Sequence, residues 1–97
     1  MTKPDTFVIE HISPKAESYL RRLSRQQQKA IAKALDHLCN VSPFHHPNPT
    51  VIRPLKGPRK GQWRYRVGDI RIVYTVDREA RTIQVVAIDT RGSVYDR

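Results

Sequence analysis

"WRYRVGDIRIVY", residues 63–74, decides the fold. Trp63, Tyr65 and Val67 alternate with Arg64 and Arg66, and Ile70, Ile72 and Tyr74 alternate with Arg71 and Val73. Alternation at period two marks strands that bury one face. Gly68-Asp69 between the two runs predicts a two-residue hairpin turn, with glycine available for the positive φ such turns demand. A turn of that length sets the register, so Val67 opposes Ile70, Arg66 opposes Arg71 and Arg64 opposes Val73. Trp63, Tyr65, Val67, Ile70, Ile72, Tyr74 and Val76 then share the core face. Arg64, Arg66, Arg71, Val73 and Thr75 share the other, and a regular last turn would extend that face with Gln84, Val86 and Ile88.

Arginine set against arginine across strands costs a few tenths to about 1 kcal/mol. Neither "QWRYRV" nor "IRIVYTV" contains an Asp or Glu to relieve it. Guanidinium groups offer planar forks of donors that suit phosphate oxygens, and they stay charged at any physiological pH. The face therefore reads as a phosphate-binding surface. The plainer alternative is a solvated face that keeps the sheet soluble, a task that mixed lysine and glutamate perform more safely.

Outward from the hairpin, "TIQVVAI" is the last strand, reached through the turn "DREART". Before it, "VIRPL" is an edge strand, because Pro54 has no N–H for a ladder, and "KGPRKG" is a basic turn. Residues 42–50 are a loop, broken by three prolines. His45 and His46 lie there without a third ligand at useful spacing, so the loop reading outweighs a metal site. Upstream, Ser24 and Gln27 form a capping box for a helix that presents Ala30, Ile31, Ala34, Leu35 and Leu38 on one face. Arg25, Lys29 and Lys33 fall outside that face. Ser13-Pro14 starts an earlier helix with Ala16, Tyr19, Leu20 and Leu23 in one stripe. Residues 6–11, "TFVIEH", form a first strand with Phe7 and Ile9 on one side. One strand, two antiparallel helices and four strands predict an α+β domain with a twisted, mostly antiparallel sheet.

The chain has 97 residues, enough for one core. Its formal net charge is +9. Residues 1–50 carry seven Lys/Arg against four Asp/Glu, and residues 51–97 carry eleven against five, so the excess sits in the strand-rich half. That excess points to a polyanionic partner, nucleic acid or an acidic protein. Cys39 stands alone, which excludes an internal disulfide and a thiolate metal cage. No run has signal-peptide or transmembrane length, and a cytoplasmic protein without membrane attachment is expected.

"PLKGPRKGQWRYRVGDIRIVYTVD" followed by "VVAIDTRGSVYDR" resembles the RelE branch of the RelE/ParE toxin superfamily, closely over about residues 51–97 and more loosely before them. The resemblance implies a RelE-like fold over residues 1–97 and the toxin of a type II toxin–antitoxin pair. It implies an endoribonuclease that enters the ribosomal A site and cuts mRNA through the RNA's own 2′-hydroxyl, with no metal or other cofactor. It also implies an antitoxin partner. Position by position, Arg64 and Arg66 match the basic strand positions and Arg71 the arginine on the scissile phosphate. Arg91 matches the acid or charge-neutralising arginine, and Tyr95 the tyrosine near the reacting nucleotide. Lys56, Arg59 and Lys60, with Arg21, Arg22, Arg25, Lys29 and Lys33, are expected to grip RNA phosphates.

The chain departs from the pattern in two places. Some relatives have lysines at Arg64 and Arg66, and others a histidine at Thr90. Arginine cannot be deprotonated in proteins, so Tyr95 is the first candidate for the base and Lys56 the second. The sequence ends two residues after Tyr95, which implies no longer C-terminal helix. The competing readings are a ParE-like inhibitor of DNA gyrase, a ribosome-independent RNase, and a nucleic-acid-binding module without cleavage.

Overall fold

The computed structural model describes residues 6–90. Its elements are β1 (Val8–Ile12), α1 (Pro14–Arg22), α2 (Arg25–Asn40), β2 (Ile52–Pro54), a short 3-10 turn (Gly57–Arg59), β3 (Trp63–Val67), β4 (Ile70–Asp77) and β5 (Thr82–Thr90). The five strands form one sheet in the order β1-β5-β4-β3-β2. β1 pairs parallel with β5 and every other pair is antiparallel. The expected α+β architecture is the observed one.

Each helix starts where its cap dictates. Ser13 Oγ accepts the Ala16 N–H at 3.1 Å and donates to the Val86 carbonyl at 3.1 Å, so one hydroxyl both caps α1 and ties it to β5. Tyr19 and Thr90 hydroxyls meet at 2.7 Å farther along the same contact. The capping box of α2 is complete, with Gln27 N–H on Ser24 Oγ and Ser24 N–H on Gln27 Oε1. Ile31, Ala34 and Leu38 are buried against the sheet, where Tyr65, Ile72, Tyr74 and Val85 meet them.

The first two strands differ in their bounds from the sequence reading, and the last runs on to Thr90. The first strand begins at Val8, because the Phe7 N–H bonds the Cys39 carbonyl at 2.8 Å and Phe7 turns into the core. β2 has three residues rather than five. Its pairing explains how Pro54 is accommodated. Arg66 N–H bonds the Val51 carbonyl and Leu55 N–H bonds the Gln62 carbonyl, both at 2.9 Å. By the alternation of an antiparallel ladder, Arg53–Arg64 is then a hydrogen-bonded pair and Pro54–Trp63 is not, so the missing N–H costs no ladder bond.

β5 breaks the expected register. Tyr74 pairs with Val85 but Val73 pairs with Ala87, so Val86 is an extra residue, a β-bulge. Side chains beyond it change faces. Ile88 pairs with Ile72 on the core face and is 4% exposed, whereas Ala87 and Asp89 take the face expected for Val86 and Ile88. Gln84, before the bulge, opposes Thr75 as expected.

At the end of the sheet away from Gly68, Phe7 and Phe44 pack edge to face. The Arg78 guanidinium lies 4.0 Å from the Phe44 ring centroid and that of Arg81 lies 5.5 Å from the centroid of Phe7. Tyr74, fully buried, donates to the Pro43 carbonyl at 2.7 Å and anchors the proline loop. Burial, and secondarily Tyr65, push its phenol well above the usual range.

Candidate nucleic-acid interface

The hairpin register is as the turn length predicted. Arg66 faces Arg71, Arg64 faces Val73, and Gly68 takes a φ of 60°. The sheet face opposite the helices therefore gathers three expected site residues, Arg64, Arg66 and Arg71. β2 adds a fourth, Arg53, paired with Arg64. Two rows result: Arg53–Arg64–Val73–Ala87 and Val51–Arg66–Arg71–Asp89. Val73 is fully buried in the first row, so the face has an apolar floor beneath its charges.

The opposed arginines are held apart. Arg66 Nη2 donates to Thr50 Oγ1 at 3.0 Å, toward β2. Arg71 Nε donates to Asp89 Oδ1 at 2.8 Å, toward β5. Asp89 on the next strand, turned onto this face by the bulge, thus supplies the acid that the hairpin lacks beside Arg71. The Arg71 and Asp89 side chains are 16% and 33% exposed, so solvent screens their attraction only in part. Two guanidinium groups fixed side by side in a half-buried setting can receive one phosphate from two directions.

Lys56, Arg59 and Lys60 are exposed in and beside the short turn after β2. Arg59 is braced by Gln62 Oε1 at 2.9 Å. With Arg22 and Lys15 of α1, Arg59 borders an open cavity of about 440 Å³ whose wall includes Ala87 and Asp89. The other helix cations are not brought there. Arg21 lies 3.8 Å from Glu17 on the groove between the helices. Arg25, Lys29 and Lys33 are exposed on α2, which covers the opposite face of the sheet. Arg91 and Tyr95 lie outside the described residues.

Two residues escaped the sequence reading. Asp89 lies beyond the expected last strand "TIQVVAI", and the bulge that turns it onto the arginine face leaves no mark in a periodicity. Arg53 did carry a signal: residues 52–54 alternate as the hairpin strands do, and an antiparallel partner would set it beside an arginine. His45 and His46 remain loop residues. His46 Nδ1 accepts the Asn48 N–H at 2.9 Å and its ring packs against His37 and Tyr65, a structural use. Cys39 is half-buried, and burial first of all raises its thiol pKa, against a lowering backbone hydrogen bond from Ile9.

The family model described as the ParE toxin of type II toxin–antitoxin systems, parDE, matches residues 11–95. The chain belongs to this toxin family. The resemblance to the RelE/ParE superfamily holds, and the fold agrees with it. The toxin is similar to the archaeal RelE–RelB complex from Pyrococcus horikoshii, at 22% identity over 93% of this chain and 99% of that one, with a TM-score of 0.71. It is also similar to the YoeB/ParE toxin from Agrobacterium tumefaciens, at 18% identity over 87% and 96% of the chains and a TM-score of 0.70. The E. coli DinJ–YafQ toxin–antitoxin complex gives 13% identity over 94% and 98%, with a TM-score of 0.69. Likeness at these identities establishes the shared fold. Among curated proteins no sequence matches the chain. Among the described residues, no helix is long and apolar enough to cross a membrane.

Proposed function

We propose that this toxin acts as a RelE-type endoribonuclease, cutting mRNA in the ribosomal A site, and that a cognate antitoxin silences it. The observation that carries the reading is the Arg66–Arg71 pair, opposed across the hairpin and braced from either side by Thr50 and Asp89. A fold that needed only solubility gains nothing from like charges set in register.

The reaction follows from RNA chemistry. The 2′-hydroxyl loses its proton to a base, its oxygen bonds to the adjacent phosphorus, and the 5′-oxygen leaves and takes up a proton. The product is a 2′,3′-cyclic phosphate. Charge grows on the phosphoryl oxygens in the five-coordinate transition state, and guanidinium groups already in place stabilise it without reorganising. Arg71 is assigned to the scissile phosphate and Arg64 and Arg66 to its surroundings. The resemblance gives Arg91 the role of acid or charge neutraliser and Tyr95 that of base. Ribosomal positioning of the RNA supplies much of the acceleration that a weak base would not.

A second reading, inhibition of DNA gyrase, is favoured by the matching family's ParE description. One experiment separates the two. Purified toxin is added to a defined mRNA with and without ribosomes stalled at a known codon, and the ends are mapped. Cuts confined to the A-site codon, made only with ribosomes and lost in Arg71→Ala, are the expected result. No cuts in either reaction, from a protein that halts growth and blocks supercoiling, would transfer the function to gyrase.

A further inference from the structure

We propose that Arg53 is a phosphate-binding residue, and that single-stranded RNA crosses the sheet over the β2 edge with two consecutive phosphates held by two rows of arginines. The inference rests on the arginine face being the RNA site and extends it to a residue outside the expected set. Arg53 pairs with Arg64, and Arg66 with Arg71. Arg64 and Arg66 are two residues apart on β3, which sets the rows about 6.6–7 Å apart. The Arg66–Arg71 pair also lies one strand farther from the β2 edge than the Arg53–Arg64 pair, about 4.8 Å, so successive phosphates of an extended strand running obliquely from β2 toward β4 meet one pair each.

The ends of the rows give the path a direction. Arg53 is exposed on the edge strand, and the exposed Lys56 and Lys60 follow in the turn that joins β2 to β3, so positive charge continues from Arg53 into that turn. The second row ends on the opposite side at Asp89. Arg71 already answers that carboxylate, so the row offers a phosphate no cation beyond β4, whereas nothing acidic stands in β2. The strand therefore enters over β2 and ends its run of phosphate contacts near Arg71. Arg53 is a binding residue in this scheme, acting on the phosphate next to the reacting one.

The test is binding of a fluorescein-labelled single-stranded RNA, followed by anisotropy over a range of KCl concentrations. Each phosphate contact on a single strand contributes about 0.7 to the slope of log K against log salt. Arg53→Gln keeps the aliphatic stem and should lower the slope by about that amount, and Arg53→Lys should restore it. Arg78→Gln removes the same charge from the far end of the sheet and should leave the slope unchanged. Equal slopes for Arg53→Gln and Arg78→Gln, with a reduced slope for Arg71→Gln, would overturn the role of Arg53 and leave the arginine face standing. If Arg71→Gln also matched Arg78→Gln, the RNA reading of the face would itself fail.

Discussion

Arg71 shows how a single side chain is prepared for a task. Its guanidinium is tethered through Nε to Asp89, which limits the rotamers the long side chain can visit before any ligand arrives. A guanidinium already held in place when the phosphorus becomes five-coordinate meets the developing charge without reorganising, so the tether serves the chemical step rather than binding. Asp89→Asn keeps an acceptor oxygen but loses the charge. Single-turnover cleavage on ribosomes is expected to slow by about tenfold, equivalent to roughly 1.4 kcal/mol, while RNA affinity changes little. The result to check against is a variant that binds RNA less tightly and cleaves at the native rate once saturated. The pair also revises what removing Arg71 does to stability. From the hairpin alone its loss would relieve repulsion, but it also leaves a partly exposed carboxylate without its partner, so the two effects oppose one another.

Elements are held by a few buried contacts between loops and strands. Tyr74 on β4 anchors the proline loop through Pro43, and the loop ends at Thr50, which braces Arg66. Its phenol is harder to ionise in the folded protein than in the unfolded chain. The unfolded phenol titrates near pH 10, so the stability held by neutral Tyr74 is complete below that pH. It is lost progressively as the pH rises above 10 toward the higher folded value. Tyr65, raised by burial, acts in the same direction. Tyr74→Phe should cost about 1–2 kcal/mol at neutral pH, by leaving the Pro43 carbonyl without its donor. Urea unfolding at neutral and at alkaline pH checks both effects, and the variant should lose less stability than the native protein across that interval.

For the whole molecule, charge and fold divide the labour between two sides of one sheet. Helix α2 covers one side, and the other carries the arginine rows. Inorganic phosphate should therefore act as a ligand. At ten times its dissociation constant it would add about 1.4 kcal/mol, or several degrees in Tm for a domain of this size. A thermal melt in phosphate, compared with KCl at matched ionic strength, should show that rise in the native toxin and not in Arg71→Gln. Much of this division was legible beforehand. The hairpin register followed from a two-residue turn, the helix starts from Ser13-Pro14 and the Ser24/Gln27 box, and the basic face from alternation. What was not legible depended on pairing between distant strands. The parallel contact of β1 with β5, the meeting of Arg53 with Arg64 and the reach of Asp89 to Arg71 are settled by long-range register, which local periodicity does not encode.

The extra residue in β5 makes this strand unusually sensitive to counting. Inserting one residue just after Val86 would leave every side chain chemically intact, yet pairing beyond the bulge would turn Ile88 outward among the arginines and drive Asp89 into the apolar core, whereas excising Val86 only makes the ladder regular and keeps both in place. Deletion of Val86 should be forgiven far more readily than an insertion after it, and deleting Val86 should rescue what the insertion destroys. Natural lengthening is thus expected in the turn at residues 78–81 and resisted between Val86 and Asp89, where the frame of the strand carries the information.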